Sequence, residues 1–120
     1  MRRKRIDDGR IYGEMNRLMR EKRLFLQKGF SRDDMAREVM TNRTYVSRAL
    51  RGRGLNFSQF VNAFRAQYAI ELLLDPENAA LSQEDVAEMS GFSSADAMNR
   101  YVKKSAGTTA CAVRKRLKGA

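Results

Sequence analysis

Between residues 41 and 70 the chain carries Arg43, Arg48, Arg51, Arg53 and Arg65 and no acidic residue. Helical spacing sorts this stretch into two faces. With Asn42 or Thr41 as N-cap, Tyr45, Val46, Ala49 and Leu50 turn inward, and Arg43, Thr44, Ser47, Arg48 and Arg51 turn outward. An ordinary surface helix carries mixed charge, whereas this one exposes only hydroxyls and guanidinium groups. Guanidinium forks grip phosphate and other acceptor pairs, and the short hydroxyls add adaptable hydrogen bonds. A second basic run follows residue 99, with Arg100, Lys103, Lys104, Arg114, Lys115, Arg116 and Lys118 and again no acid. Between residues 66 and 99 the sign reverses, with Glu71, Asp75, Glu77, Glu84, Asp85, Glu88 and Asp96 and no base. Charge clustered in this way argues for a binding face more strongly than the net charge of +10 and the pI of about 10.4 do alone.

The composition excludes most other chemistry. With no His and a single Cys111, there is no zinc ligand set, no internal disulfide and no nucleophile with a partner base. Cys111 reads as a small apolar residue of the last helix. No phosphate-cradling glycine loop and no paired carboxylates suggest an enzyme, and no cofactor is expected. No apolar run approaches a membrane span, and Arg2-Arg3-Lys4-Arg5 lacks the apolar stretch of a signal peptide, so the expected location is the cytosol.

The elements that must position the basic faces come from a dense apolar period near 3.6 and a single Pro, which predict an all-α fold of about seven helices. A first helix is expected over about residues 11–27, with Ile11, Met15, Leu18, Met19, Phe25 and Leu26 inward and Gly29 as its left-handed stop. Ser31 caps the second, with Asp33 and Asp34 in its first turn and Met35, Ala36 and Val39 buried. After the Arg-rich third helix, Arg51-Gly52-Arg53-Gly54 breaks the chain. Asn56 or Ser58 then starts a long fourth helix through about Leu74, roughly 27 Å at 1.5 Å per residue, and Asp75-Pro76-Glu77-Asn78 stops it. Ser82 with Asp85 resembles a capping box weakened by its Asp, and Val86, Ala87 and Met89 turn inward. Gly91 suits a positive-φ turn, Ser93 or Ser94 caps the sixth helix, and Gly107-Thr108-Thr109 leads into a seventh. In that last helix Val113 and Leu117 face inward, and Arg114, Lys115, Arg116 and Lys118 face mostly solvent.

Residues 30–50 and 81–104 therefore repeat one plan about fifty residues apart: a short helix with a small inward Ala, a tight turn, then a polar and basic helix. This is the layout of a helix-turn-helix, whose second helix enters the major groove of DNA. Two copies in one small basic chain predict a reader of two adjacent groove segments. The expected organisation is a basic arm or linker at 1–10, a first helix-turn-helix subdomain at 11–55, a linker helix at 56–75 and a second subdomain at 76–118.

The residues carrying this plan resemble the DNA-binding domain of the AraC/XylS family of transcription regulators over about residues 15–117. The match lies in Phe30-Ser31-Arg32-Asp33-Asp34-Met35-Ala36, Thr41-Asn42-Arg43-Thr44-Tyr45-Val46-Ser47-Arg48, Phe57 with Arg65 and Ala69, and Leu72-Leu73. It continues through Asp85-Val86-Ala87, Gly91-Phe92-Ser93-Ser94, Asn99-Arg100 and Gly107-Thr108-Thr109. Asn-Arg-Thr-Tyr resembles Bacteroidetes members in particular. The resemblance implies base contacts from Arg43, Thr44, Ser47 and Arg48 and, in the second copy, from Asn99 and Arg100, with a phosphate contact as the alternative for Arg48 and for Arg100 and an intrahelical partner as a further one for Arg48. It implies phosphate contacts from Asn42, Arg51, Arg53, Ser94, Lys103 and Lys104. Physics agrees with the first set: Arg takes guanine O6 and N7 together, and Asn pairs with adenine. Asp96 is better explained as support for a helix N-terminus. The resemblance further implies double-stranded DNA as partner, a contact with RNA polymerase, an activator's role, and any effector or sensor domain outside this chain.

The sequence departs from the family at Met40, where a turn glycine is common, at Met98 and Val102, which replace large aromatics, and at Ala110, which replaces Pro. These departures predict a strained first turn and a less well filled second core. They also motivate a competing reading, a protein-interaction module or decoy with weakened DNA binding by its second motif. The first copy is expected to supply most of the affinity.

Overall fold

A computed structural model describes residues 8–119, which form seven α-helices and two single-turn 3-10 segments, with no strand among the described residues. The helices are α1 (Asp8–Lys22), α2 (Arg32–Glu38), α3 (Arg43–Arg51), α4 (Phe57–Leu74), α5 (Gln83–Met89), α6 (Ala95–Ala106) and α7 (Ala110–Gly119). The 3-10 turns are Leu24–Leu26 and Pro76–Asn78. The Arg2-Arg3-Lys4-Arg5 arm and the side chains of Leu117 and Lys118 lie outside what is described.

The chain divides into two compact units, one of residues 1–24 and 29–60 and one of residues 25–28 and 61–120. In the first, α3 packs on α1 and α2. The core there is made by Ile11, Met15, Leu18, Met19, Leu24, Phe30, Met35, Ala36, Val46, Ala49, Leu50 and Phe60. The expected first helix is corrected at both ends, since α1 is already helical at Asp8, ahead of Ile11, and stops at Lys22 rather than Gln27. Arg23 takes a φ of +51°, which breaks the α-helix, and Leu24–Leu26 tightens into a 3-10 turn. The apolar stripe ran on because this turn also carries buried side chains, Leu24 and Phe25. Gly29 does take a positive φ, beyond that turn.

In the second unit α6 packs on α5 and α7 around Ala66, Ala69, Leu73, Val86, Ala87, Phe92, Met98, Val102, Ala110 and Val113. Met98, Val102 and Ala110, the three departures from the family, are completely buried. Met89 is corrected: it is 44% exposed rather than inward.

Both helix-turn-helix copies open with a complete capping box. Ser31 Oγ accepts from the Asp34 N–H (3.1 Å), and Asp34 Oδ2 accepts from the Ser31 N–H (2.9 Å). Ser82 and Asp85 repeat this at 3.0 and 3.1 Å, so Asp closes the box as Glu or Gln would. The turns share their backbone too. Thr41 N–H donates to Ala36 O (2.8 Å) in one, and Phe92 N–H to Ala87 O (2.9 Å) in the other. The copies differ in length, because the cap of α3 is Asn42 whereas the cap of α6, Ser94, comes one residue later in the repeat. They differ also at the left-handed residue of the turn, which is Met40 (φ +60°) in the first and Gly91 (φ +91°) in the second.

A further parallel lies outside the motifs. Arg65 of α4 donates from Nε to Phe25 O (2.7 Å) and from Nη2 to Gln27 O (3.2 Å). Arg114 of α7 donates from Nη1 to Leu81 O (2.8 Å) and from Nη2 to Asn78 O (3.2 Å). Each guanidinium satisfies carbonyls of irregular backbone, which would otherwise be costly to shield from water. The expectation that Arg114 faces solvent is thereby corrected: it is half-buried and holds the approach to α5.

Candidate nucleic-acid interface

The outer face of α3 is built by the inner one. Val46, Ala49 and Leu50 bury against α1 and α2, which leaves Arg43, Thr44, Arg48 and Arg51 exposed and Ser47 half-buried. Asn42 Oδ1 accepts from the Tyr45 N–H (3.2 Å), so the side-chain oxygen of this expected phosphate contact already serves as a cap.

The arginines of this face are not loose. Arg48 Nε donates to both carboxylate oxygens of Asp8 at 3.1 and 3.2 Å, and its guanidinium carbon lies 4.7 Å from the centre of the Tyr45 ring. Arg43 Nη1 stands 3.9 Å from Asp33 Oδ2. Arg53 lies over the ring of Tyr12 at 4.6 Å, a cation–π contact that keeps its donors at the surface. Arg32, which the spacing argument passed over, donates from Nη1 to Ser47 Oγ at 3.0 Å and so joins the face from the start of α2. Its position in the first turn of the preceding helix was the available signal. Arg32, Ser47 and Arg51 share an open groove of about 430 Å³ with Leu50, Asn56, Phe57 and Gln59.

At the start of α2 the Asp34 carboxyl is held below the usual carboxylate range, first by the Ser31 backbone N–H, then by the Ser31 hydroxyl and by Arg37. Arg65 is different in kind from the other arginines. Burial pulls its pKa down, and its donors are committed to backbone carbonyls, so it belongs to the framework.

The outer face of α6, in the second unit, is thinner. Arg100, Lys103 and Lys104 are exposed, with Arg100 and Lys104 flanking the Tyr101 ring at 5.9 and 5.6 Å. Ser94 Oγ accepts from the Ala97 N–H (3.1 Å) as the helix cap. Asp96 is exposed in the first turn, where a carboxylate complements the helix dipole. Asn99, an expected base contact, is hydrogen-bonded within its own unit. Its amide nitrogen donates to Gln83 Oε1 (2.8 Å) and Ala95 O (3.2 Å), and its Oδ1 accepts from the Ala110 N–H (3.0 Å). Ala110 makes that last bond possible, since a Pro there has no N–H to give.

Among the described residues no three metal-ligating side chains gather into a site, and no helix is long and apolar enough to cross a membrane.

Residues 35–116 match the family model described as a helix-turn-helix domain, which takes in the first copy from Met35 onward and all of the second. The fold is similar to a DNA-binding transcriptional dual regulator from Escherichia coli K-12 (TM-score 0.76, 15% identity, all of both chains covered). It is also similar to the C-terminal domain of the two-component response regulator YesN from Fusobacterium nucleatum (TM-score 0.67, 19% identity, 88% of this chain and 98% of that one). No match is found among the curated proteins. The Bacteroidetes flavour of the first recognition helix has no counterpart in these matches.

Proposed function

Because the chain belongs to the AraC-type helix-turn-helix domain family, we propose that it is a sequence-specific, DNA-binding transcription regulator in which α3 and α6 each enter a major-groove segment. The observation that carries this reading is the outer face of α3, where Arg43, Thr44, Ser47, Arg48 and Arg51 present donors with no acid among them on the helix. Arg43, Thr44, Ser47 and Arg48 are the proposed base readers, and Arg51 and Arg53 with Lys103 and Lys104 the proposed phosphate anchors. In α6 base reading falls to Arg100, since Asn99 is committed to Gln83, Ala95 and Ala110.

The resemblance to the AraC/XylS family implies an activator that contacts RNA polymerase, and we extend that role to this chain. The competing reading, a module whose second motif has lost its DNA role, gains nothing from Met98, Val102 and Ala110, all of which are buried core residues.

Selection of bound sequences from a random duplex pool tests the proposal. The expected result is a defined motif, with Arg43→Ala and Arg48→Ala each relaxing it locally and costing about 1–3 kcal/mol on the preferred site. A double variant that keeps both affinity and sequence preference would refute base reading by α3.

A further inference from the structure

Arg48 is the one proposed base reader whose side chain is fixed from two directions within its own unit. The Asp8 carboxylate, at the start of α1, grips Nε, and the Tyr45 ring lies against the guanidinium. Among the described residues no other hydrogen bond reaches the Arg48 guanidinium. Within the described residues the two terminal nitrogens, the pair that matches guanine O6 and N7, are therefore open to a ligand.

We infer that Asp8 is a positioning residue that sets the base specificity of Arg48, by occupying Nε and presenting the Nη1–Nη2 edge to a guanine. The inference rests on the DNA-reading role of α3 proposed above. A free arginine must give up much rotamer entropy on binding, and a guanidinium already held in one orientation gives up less. Holding it also limits the alternatives. With Nε occupied and one face against Tyr45, Arg48 is hindered from swinging to a phosphate or turning a different pair of donors to another base. Discrimination between bases should rise more than affinity does.

The carboxylate has an opposite effect on binding in general, because it repels the DNA backbone. Positioning and simple electrostatics therefore predict opposite signs when Asp8 is neutralised. The pair is exposed on both sides, with 45% and 42% of the side chains accessible, so its loss should leave folding nearly untouched.

The test uses the full chain, the motif selected from the random pool, and versions of that motif changed at each base pair. Arg48→Ala should abolish preference at one guanine, a loss of about tenfold or more. Asp8→Ala should weaken preference at the same guanine by about three- to tenfold, leave other positions unchanged, and bind random DNA as well as or better than the parent. Asp8→Asn, which keeps an acceptor but not the charge, should fall between. In the Arg48→Ala background, Asp8→Ala should change no base preference further, the mark of a coupled pair. Three outcomes overturn the positioning role alone: unchanged preference in Asp8→Ala, a uniform loss at every position, or tighter binding of the selected motif with preference intact. If Arg48→Ala itself alters no preference, the base-reading role of Arg48 fails, and the positioning role fails with it.

Discussion

Met40 and Gly91 hold the same left-handed place in two turns with the same hydrogen bonds, and their surroundings make opposite predictions. Met40 is 91% exposed, so its side chain contributes no packing, while its Cβ suffers the steric cost of positive φ. Met40→Gly should remove that strain, partly offset by the greater unfolded-state entropy of Gly, for a net gain of about 0.5–1 kcal/mol. Gly91 has no such freedom. A Cβ there would stand 2.7 Å from Phe25 O and 3.0 Å from Arg65 Nε, the two atoms that form the framework hydrogen bond. Gly91→Ala should cost about 2 kcal/mol or more, from backbone strain and a carbonyl that cannot easily retreat. Thermal or urea unfolding of both variants checks the pair, and a stabilised Gly91→Ala or a destabilised Met40→Gly would contradict the account.

At the scale of elements, the capping boxes decide where α2 and α5 begin. Ser31→Ala removes the Oγ acceptor for the Asp34 N–H and should lower stability by about 1 kcal/mol in a denaturant melt, with Ser82→Ala behaving alike. Asp34 adds a pH signature. Its folded carboxyl is held below the ordinary value, chiefly by the Ser31 backbone N–H, so its contribution is complete above the unfolded carboxylate's pKa. That contribution is lost as pH falls through the lowered folded value. Melting temperature should therefore drop below about pH 5, and Asp34→Asn should make the acid limb shallower. These caps, turns and inward faces were legible in the sequence because each depends on neighbours three to five residues away. The break at Arg23, the clamp of Arg114, the amide network of Asn99 and the Asp8–Arg48 pair were not. Apart from Ala95 in the Asn99 network, their partners lie 11 to 40 residues away, or, for Arg23, the apolar period does not distinguish a 3-10 turn from one more helical turn. Likewise the outward set of α3 was legible from spacing, whereas the entry of Arg32 into that face required the turn to bring α2 beside Ser47.

For the molecule as a whole, the governing quantity is a net charge of +10 unevenly spread along the chain. Arg43, Arg48, Arg51 and Arg53 belong to the first unit, and the acid-only stretch of residues 66–99 belongs to the second, ahead of Arg100, Lys103 and Lys104. Repulsion by those carboxylates should leave the first unit with most of the affinity, so Arg51→Ala should weaken binding more than Lys104→Ala does. Salt separates this anchoring from base reading. If about six cations neutralise phosphates, log Kd against log salt should have a slope of magnitude near 5, and affinity should fall about a thousandfold between 50 and 200 mM salt. Each phosphate anchor removed should lower that slope by about one and leave the selected motif unchanged, whereas Arg48→Ala should alter the motif at its own position. Titrations of fluorescent duplex DNA at several salt concentrations, with the selected and a scrambled sequence, measure both quantities together. A flat salt response would show that the basic faces of α3 and α6 are solvated surface and not the grip on DNA.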